Sequence, residues 1–139
     1  MLARRALLTA NFLVNNERRP FSWGDWDCNL FVADLLDHLD GGLPWRSLAI
    51  RGKYQTGFGA ARFAYHFTPA PQWLERQGYR VEAAAGGVIP DHAIILEPRP
   101  RFYVASLYFA GRFWAVVEDL GLCAVDRPES GYLIGVERG

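Results

Sequence analysis

Apolar positions in the first part of the chain recur at helical intervals. Leu2, Ala6, Leu7, Ala10, Leu13 and Val14 share one face of a 3.6-residue repeat, which predicts an N-terminal helix closed off by Pro20. Residues 21–27 form a turn-like run containing Trp and Gly. A second helix is predicted from Asp27, a natural N-cap, to Gly41-Gly42, a natural stop. Its apolar face is Cys28, Phe31, Val32, Leu35, Leu36 and Leu39, with Asp34, Asp37 and Asp40 mostly opposite. Residues 52–59 read as a loop, and 60–67 and 72–77 as short helices. Beyond Pro90 the period becomes that of strands, over 93–97, 103–109, 113–117, 122–125 and 132–136. Connections this short predict antiparallel neighbours in sequence order, a β-meander. Helices followed by a meander give an α+β fold, with the N-terminal helices packed on an antiparallel sheet.

The 139 residues make one domain spanning 1–139, since no repeat or linker divides them. Fifteen basic and 15 acidic residues cancel, which excludes a field-driven binder of nucleic acid or of a membrane surface. The longest apolar stretch, 102–110, is too short to span a bilayer, so no membrane insertion is expected. Arg4 and Arg5 precede an apolar run as in a secretion signal, but Asn11 interrupts it, and a folded helix is expected there. Cys28 and Cys123 are too few for a disulfide-dense scaffold or a multi-Cys zinc site. Asp25, Asp27, Asp34, Asp37 and Asp40 lack the spacing of a calcium loop, and Gly52 and Gly57 lack the Lys-Ser/Thr of a phosphate loop. Neither a metal nor a cofactor is expected.

The sharpest local feature is Phe21-Ser-Trp-Gly-Asp-Trp-Asp-Cys-Asn-Leu-Phe31. A thiol opening a helix meets unpaired N–H groups and the macrodipole, both of which favour the thiolate. A cysteine on an apolar helix face is also an ordinary core residue. Trp23-Gly24-x-x-Asp27-Cys28-x-x-Phe31, with the acidic helix and Gly-Gly behind it, resembles the nucleophile segment of NlpC-type papain-like hydrolases. It is most similar to a compact phage- and prophage-encoded group of these, found among tail genes. The resemblance continues through Arg51-Gly52-Lys53-Tyr54, Gly86-Gly87, Pro90-Asp91-His92-Ala93-Ile94 and Leu107-Tyr108-Phe109-Ala110-Gly111, covering most of the chain in order.

The resemblance implies a papain-like core with Cys28 at the nucleophile position. Family members that cut bonds need a His opening the second strand and a polar residue about a dozen positions later. Aligned on Gly111, those positions hold Ala105 and Val117; a slip of two brings in Tyr103 and Glu118, and still no imidazole. His92 falls at the wrong strand end, His38 lies about 15 Å along the helix from Cys28, and His66 has no fixed place. Cys28 is therefore expected to be a vestigial nucleophile. The expected role is a structural or assembly component of a phage tail tip or baseplate, made in the host cytoplasm and carried in the virion. Its partners would be other tail proteins of the hub or tip. The alternative is an active cysteine peptidase or amidase acting on peptidoglycan through Cys28. Fourteen Arg accompany 20 aromatic residues, a pairing that interfaces favour, and Trp23, Trp26, Tyr108 and Trp114 are the candidate binding residues.

Overall fold

Asp27 starts the central helix, as its position in the sequence predicts. Its extended backbone and carboxylate cap α2 (Cys28–Asp40), accepting hydrogen bonds from the N–H groups of Asn29 and Leu30. Gly41 ends the helix at φ +73° and returns its N–H to the Asp37 carbonyl. The computed structural model describes residues 2–66, 70–84, 88–100 and 103–138. Within them α1 (Leu2–Asn16) precedes α2, and α3 (Trp45–Ile50), α4 (Gly57–His66) and α5 (Ala70–Arg76) follow. The strands are β1 (Tyr79–Ala84), β2 (Ile94–Pro98), β3 (Tyr103–Phe109), β4 (Arg112–Val117), β5 (Gly121–Val125) and β6 (Gly131–Arg138).

All strand pairs are antiparallel, in the order β1-β6-β2-β3-β4-β5, so the fold is mixed α+β. β2 to β5 form the predicted meander. β6 does not continue it beside β5; it returns to the centre and pairs with β1 and β2. Residues 126–130 make that return. They start where Val125 lies opposite Phe113 and end where Tyr132 lies opposite Leu96, so they cross the sheet.

One face of the sheet carries Ile94, Leu96, Ala105, Leu107, Val116 and Ile134 into a common core with Phe31, Leu35 and Leu36 of α2. Alternation along each strand sets this face, and the register keeps it continuous across the sheet. Phe12 and Leu13 of α1 and Leu74 of α5 complete the core. Three elements depart from the sequence expectation. α3 and β1 fall where no element is predicted, and α4 begins three residues before the predicted helix at 60. The predicted end of that helix, Phe67, lies outside the described residues. Asp37, expected on the solvent side of α2, is buried instead, because Arg46 at the start of α3 meets it at 3.1 Å.

Candidate functional site

The turn before α2 is built around Gly24 and Asp27. Gly24 sits at φ +79° with its carbonyl accepting the Gly52 N–H at 2.9 Å. Its own N–H donates to Asp27 Oδ2 at 3.0 Å, and the Tyr54 hydroxyl donates to the same oxygen at 2.6 Å. Asp27 is buried, and with the two capping bonds its carboxylate is fully engaged. Desolvation, and then the Asp27 charge, push the Tyr54 hydroxyl far above its ordinary range, so it stays a donor. The Asp of the Asp-Cys pair is thus a structural anchor that fixes where Cys28 begins its helix. The anchoring partner, Tyr54, stands 27 positions away and carries no local signal of that role.

Cys28 faces β3. The Ala105 backbone N–H donates to its sulfur, and the N–H groups of Cys28 and Asn29 also favour the thiolate. Burial opposes them, the Asp27 carboxylate adds to it, and the thiol is pushed up to about 11. The residue as a whole is half-buried, since its outer side lines a cleft. The helix terminus therefore does not activate this thiol; desolvation outweighs it. In a Cys123→Ser background, alkylation of Cys28 by iodoacetamide is expected to stay slow at pH 7 and to accelerate only as pH approaches 11. Because the folded thiol keeps a proton that the unfolded chain releases from about pH 9, its contribution to stability is complete below pH 9 and is lost as pH rises through about 11. In urea melts the fall in stability from pH 8 to pH 10.5 should be larger in the parent than in Cys28→Ala, which keeps only the share of Tyr54. Rapid alkylation at neutral pH would refute this account of the thiol.

The cleft beside Cys28 has a volume of about 610 Å³. It opens where β3 and β4 part company. Their pairing ends at Leu107↔Trp114, although β3 runs on to Tyr103 beside β2 and β4 runs on to Val117 beside β5. Val104 and Ser106 line one side, Ala115 and Val117 the other, and the returning segment from Val125 to Glu129 closes it. Glu118 stands at its edge.

The position across from the sulfur is Ala105, which is 1% exposed and has no side-chain donor or acceptor. His92 lies at the turn into β2, its N–H bonded to the Tyr108 carbonyl and its ring against Phe109. That is four residues of strand away from Ala105, roughly 13 Å. His38 sits near the far end of α2, exposed, with its ring against Phe12 at 5.6 Å. The side chain of His66, which closes α4, lies outside the described residues. Among the described residues, then, no imidazole reaches Cys28. Cys28 and Cys123 are free thiols, and no group of three or more His, Cys, Asp or Glu could hold a metal ion among the described residues. No helix there is long and apolar enough to cross a membrane.

The four candidate binding aromatics are dispersed. Trp23 lines the cleft, edge-on to Phe21. Trp26 is wholly buried, between Phe12 and Phe31 and under the Arg19 guanidinium at 4.4 Å, so it is a core residue with no surface for a ligand. The turn folds back on α1 and takes its indole inward. Trp114 lies on the helix-packed face, half-buried against the core, its Nε1–H donating to the Phe109 carbonyl at 3.0 Å. Tyr108 is on the opposite face, beside Phe113. Sequence reasoning missed Ser106, Glu97, Asp126 and Glu129, which the folding of β3 and the return to β6 bring to the cleft. No curated protein and no solved structure matches the chain. Residues 3–129 match the family model of DUF6950, a domain of unknown function, and the chain belongs to that family.

Proposed function

We propose that this protein is a non-hydrolytic, papain-like domain of the NlpC type that serves as a structural or assembly component of a phage tail tip. The observation that carries the non-hydrolytic part is the Ala105 backbone N–H facing the Cys28 sulfur where a hydrolase needs an imidazole. A thiol raised to about 11 and lacking a base is almost wholly protonated at neutral pH. The helix-borne cysteine packed on an antiparallel sheet, and the order of motifs along the chain, support the papain-like reading. The tail assignment rests on the resemblance to phage- and prophage-encoded relatives.

The purified protein is expected to release no product from peptidoglycan fragments or peptides. In a phage lacking the gene, Cys28→Ala should restore infectious particles as well as the parent does, while an empty vector yields defective tails. Turnover that vanishes in Cys28→Ala and survives in Cys123→Ser would refute the non-hydrolytic reading. Normal tails from the empty vector would refute the tail role.

A further inference from the structure

The cleft holds more polar chemistry than a vestigial site needs. Ser106 is 3% exposed, lines the cleft, and its hydroxyl has no hydrogen-bond partner. A desolvated hydroxyl gains most from a ligand that supplies the missing bond. Charge around the cleft is one-sided. Glu97, Glu118, Asp126 and Glu129 face only Arg99 and Arg127, and Arg99 is already held by Glu97 at 2.9 Å. Such a rim attracts a cation and repels nucleic acid and other polyanions.

The walls have the form of a strand slot. On the β2 side of β3 the Tyr108 N–H donates to the Ala93 carbonyl and the Tyr108 carbonyl accepts from the His92 N–H, so by alternation the backbone groups of Ala105 point towards β4. In an unbroken hairpin they would pair with Val116. The pairing ends before that point, at Leu107↔Trp114, so the Ala105 carbonyl faces the fork while its N–H is taken by the Cys28 sulfur. Val104 and Val117 add apolar surface on either side. An extended chain recognises such edges through its backbone and such pockets through alternate side chains.

We propose that the fork between β3 and β4 is a docking site for an extended, basic segment of a partner protein, with one of its Lys or Arg side chains reaching the Ser106 hydroxyl between the carboxylates of the rim. The proposal rests on the non-hydrolytic reading of the same cleft, because the segment must stay intact to dock.

The test is selection from a display library of random nine-residue peptides on the full-length chain, followed by titration calorimetry with the enriched peptides. Peptides alternating apolar residues with Lys or Arg are expected to emerge. Their affinity should fall at least tenfold in Glu118→Lys/Asp126→Lys, whose sites are exposed and leave the fold intact. It should also fall when Glu replaces their basic residues. Ser106→Ala, which removes an unpartnered hydroxyl, should fold as well as the parent and bind several-fold more weakly. No enrichment, enrichment of acidic or uncharged peptides, or affinity indifferent to Glu118→Lys/Asp126→Lys would overturn the proposal. So would a muropeptide that displaces the selected peptides at equal concentration, since the cleft would then be a cell-wall site. Mass spectrometry of the bound peptides separates the two readings. Peptides cut by the parent and not by Cys28→Ala would refute the non-hydrolytic reading and stable docking with it, whereas peptides that stay intact and do not bind would refute the docking site alone.

Discussion

Gly24→Ala is expected to cost the protein most of its stability. A Cβ at this position would lie 1.8 Å from the Tyr54 carbonyl oxygen, far inside van der Waals contact, and the obstacle is backbone that cannot rotate away. The positive φ adds a cost of roughly 1–2 kcal/mol for any residue with a side chain. Relief requires moving the 51–54 segment, which breaks the Gly52 N–H bond to the Gly24 carbonyl and pulls the Tyr54 hydroxyl from Asp27. The buried Asp27 carboxylate would then lose the Tyr54 hydroxyl at the start of the central helix, and each buried group left unpaired costs about 1–3 kcal/mol. The sum exceeds about 4 kcal/mol, a large share of the roughly 5–15 kcal/mol that holds a domain together. Gly41→Ala is the control. It has nearly the same φ, +73°, and nothing lies within 4 Å of its added Cβ, so it should cost only its backbone conformation, about 1–3 kcal/mol. Urea denaturation of both variants makes the comparison. Equal losses would mean that backbone conformation, and not the approach of the 51–54 segment, is what Gly24 provides.

The contrast between these two glycines shows what the sequence makes legible. Gly41 could be read as a helix stop because its neighbours explain it. Gly24 lies in a recognisable Trp-Gly turn, but the segment it must clear comes from 30 positions further on. The same limit governs the fold. The α2 cap and strands β2 to β5 are local features, fixed by a capping side chain and by short turns, and each could be read from its own residues. The place of β6 could not, since nothing in 131–138 records that β1 and β2 leave a gap between them. β1 does alternate, with Tyr79 and Val81 against Arg80 and Glu82, but charged residues on a six-residue run mute the strand signal. Those charges suit its place at the edge of the sheet, where they discourage pairing with another chain.

The site divides in the same way. Cys28 announces itself through Asp27 and the apolar face of its helix, and Ala105 could be reached by counting back from the Gly111 turn. The burial of Trp26 was not legible, because a tryptophan in a Gly-containing turn looks exposed until α1 is known to lie beneath it. Ser106 differs from its neighbours Ala105 and Leu107 only by facing the other way. Its place in the cleft depends on where β4 diverges, which no local pattern records.

Arg46→Met is expected to be the most damaging change away from the turn. The guanidinium is fully buried, an uncommon place for arginine, and its two terminal nitrogens are held while Nε has no partner. Nη1 donates to Asp37 Oδ1 at 3.1 Å, Nη2 donates to Asp40 and to the Tyr79 hydroxyl, and the group lies over the Trp45 ring at 4.2 Å. One side chain thus joins the end of α2 to α3 and to the start of β1. Methionine would fill much of the volume and leave Asp37 buried without its cation. Breaking a buried pair on one side costs roughly 3–5 kcal/mol, whereas replacing both partners with apolar residues is often close to neutral. Asp37 departs from that rule, because its carboxylate also accepts the backbone N–H groups of Arg46, at 3.3 Å, and Ser47, at 3.0 Å. Those two groups start α3 and would be orphaned with Asp37→Leu. Arg46→Met/Asp37→Leu should therefore recover part of the loss and not all of it, remaining about 1–3 kcal/mol below the parent. Urea melts of the two single variants and the double give the coupling energy directly. Strict additivity would show that Asp37 serves α3 alone, and that Arg46 is held by Asp40, Tyr79 and Trp45 without it.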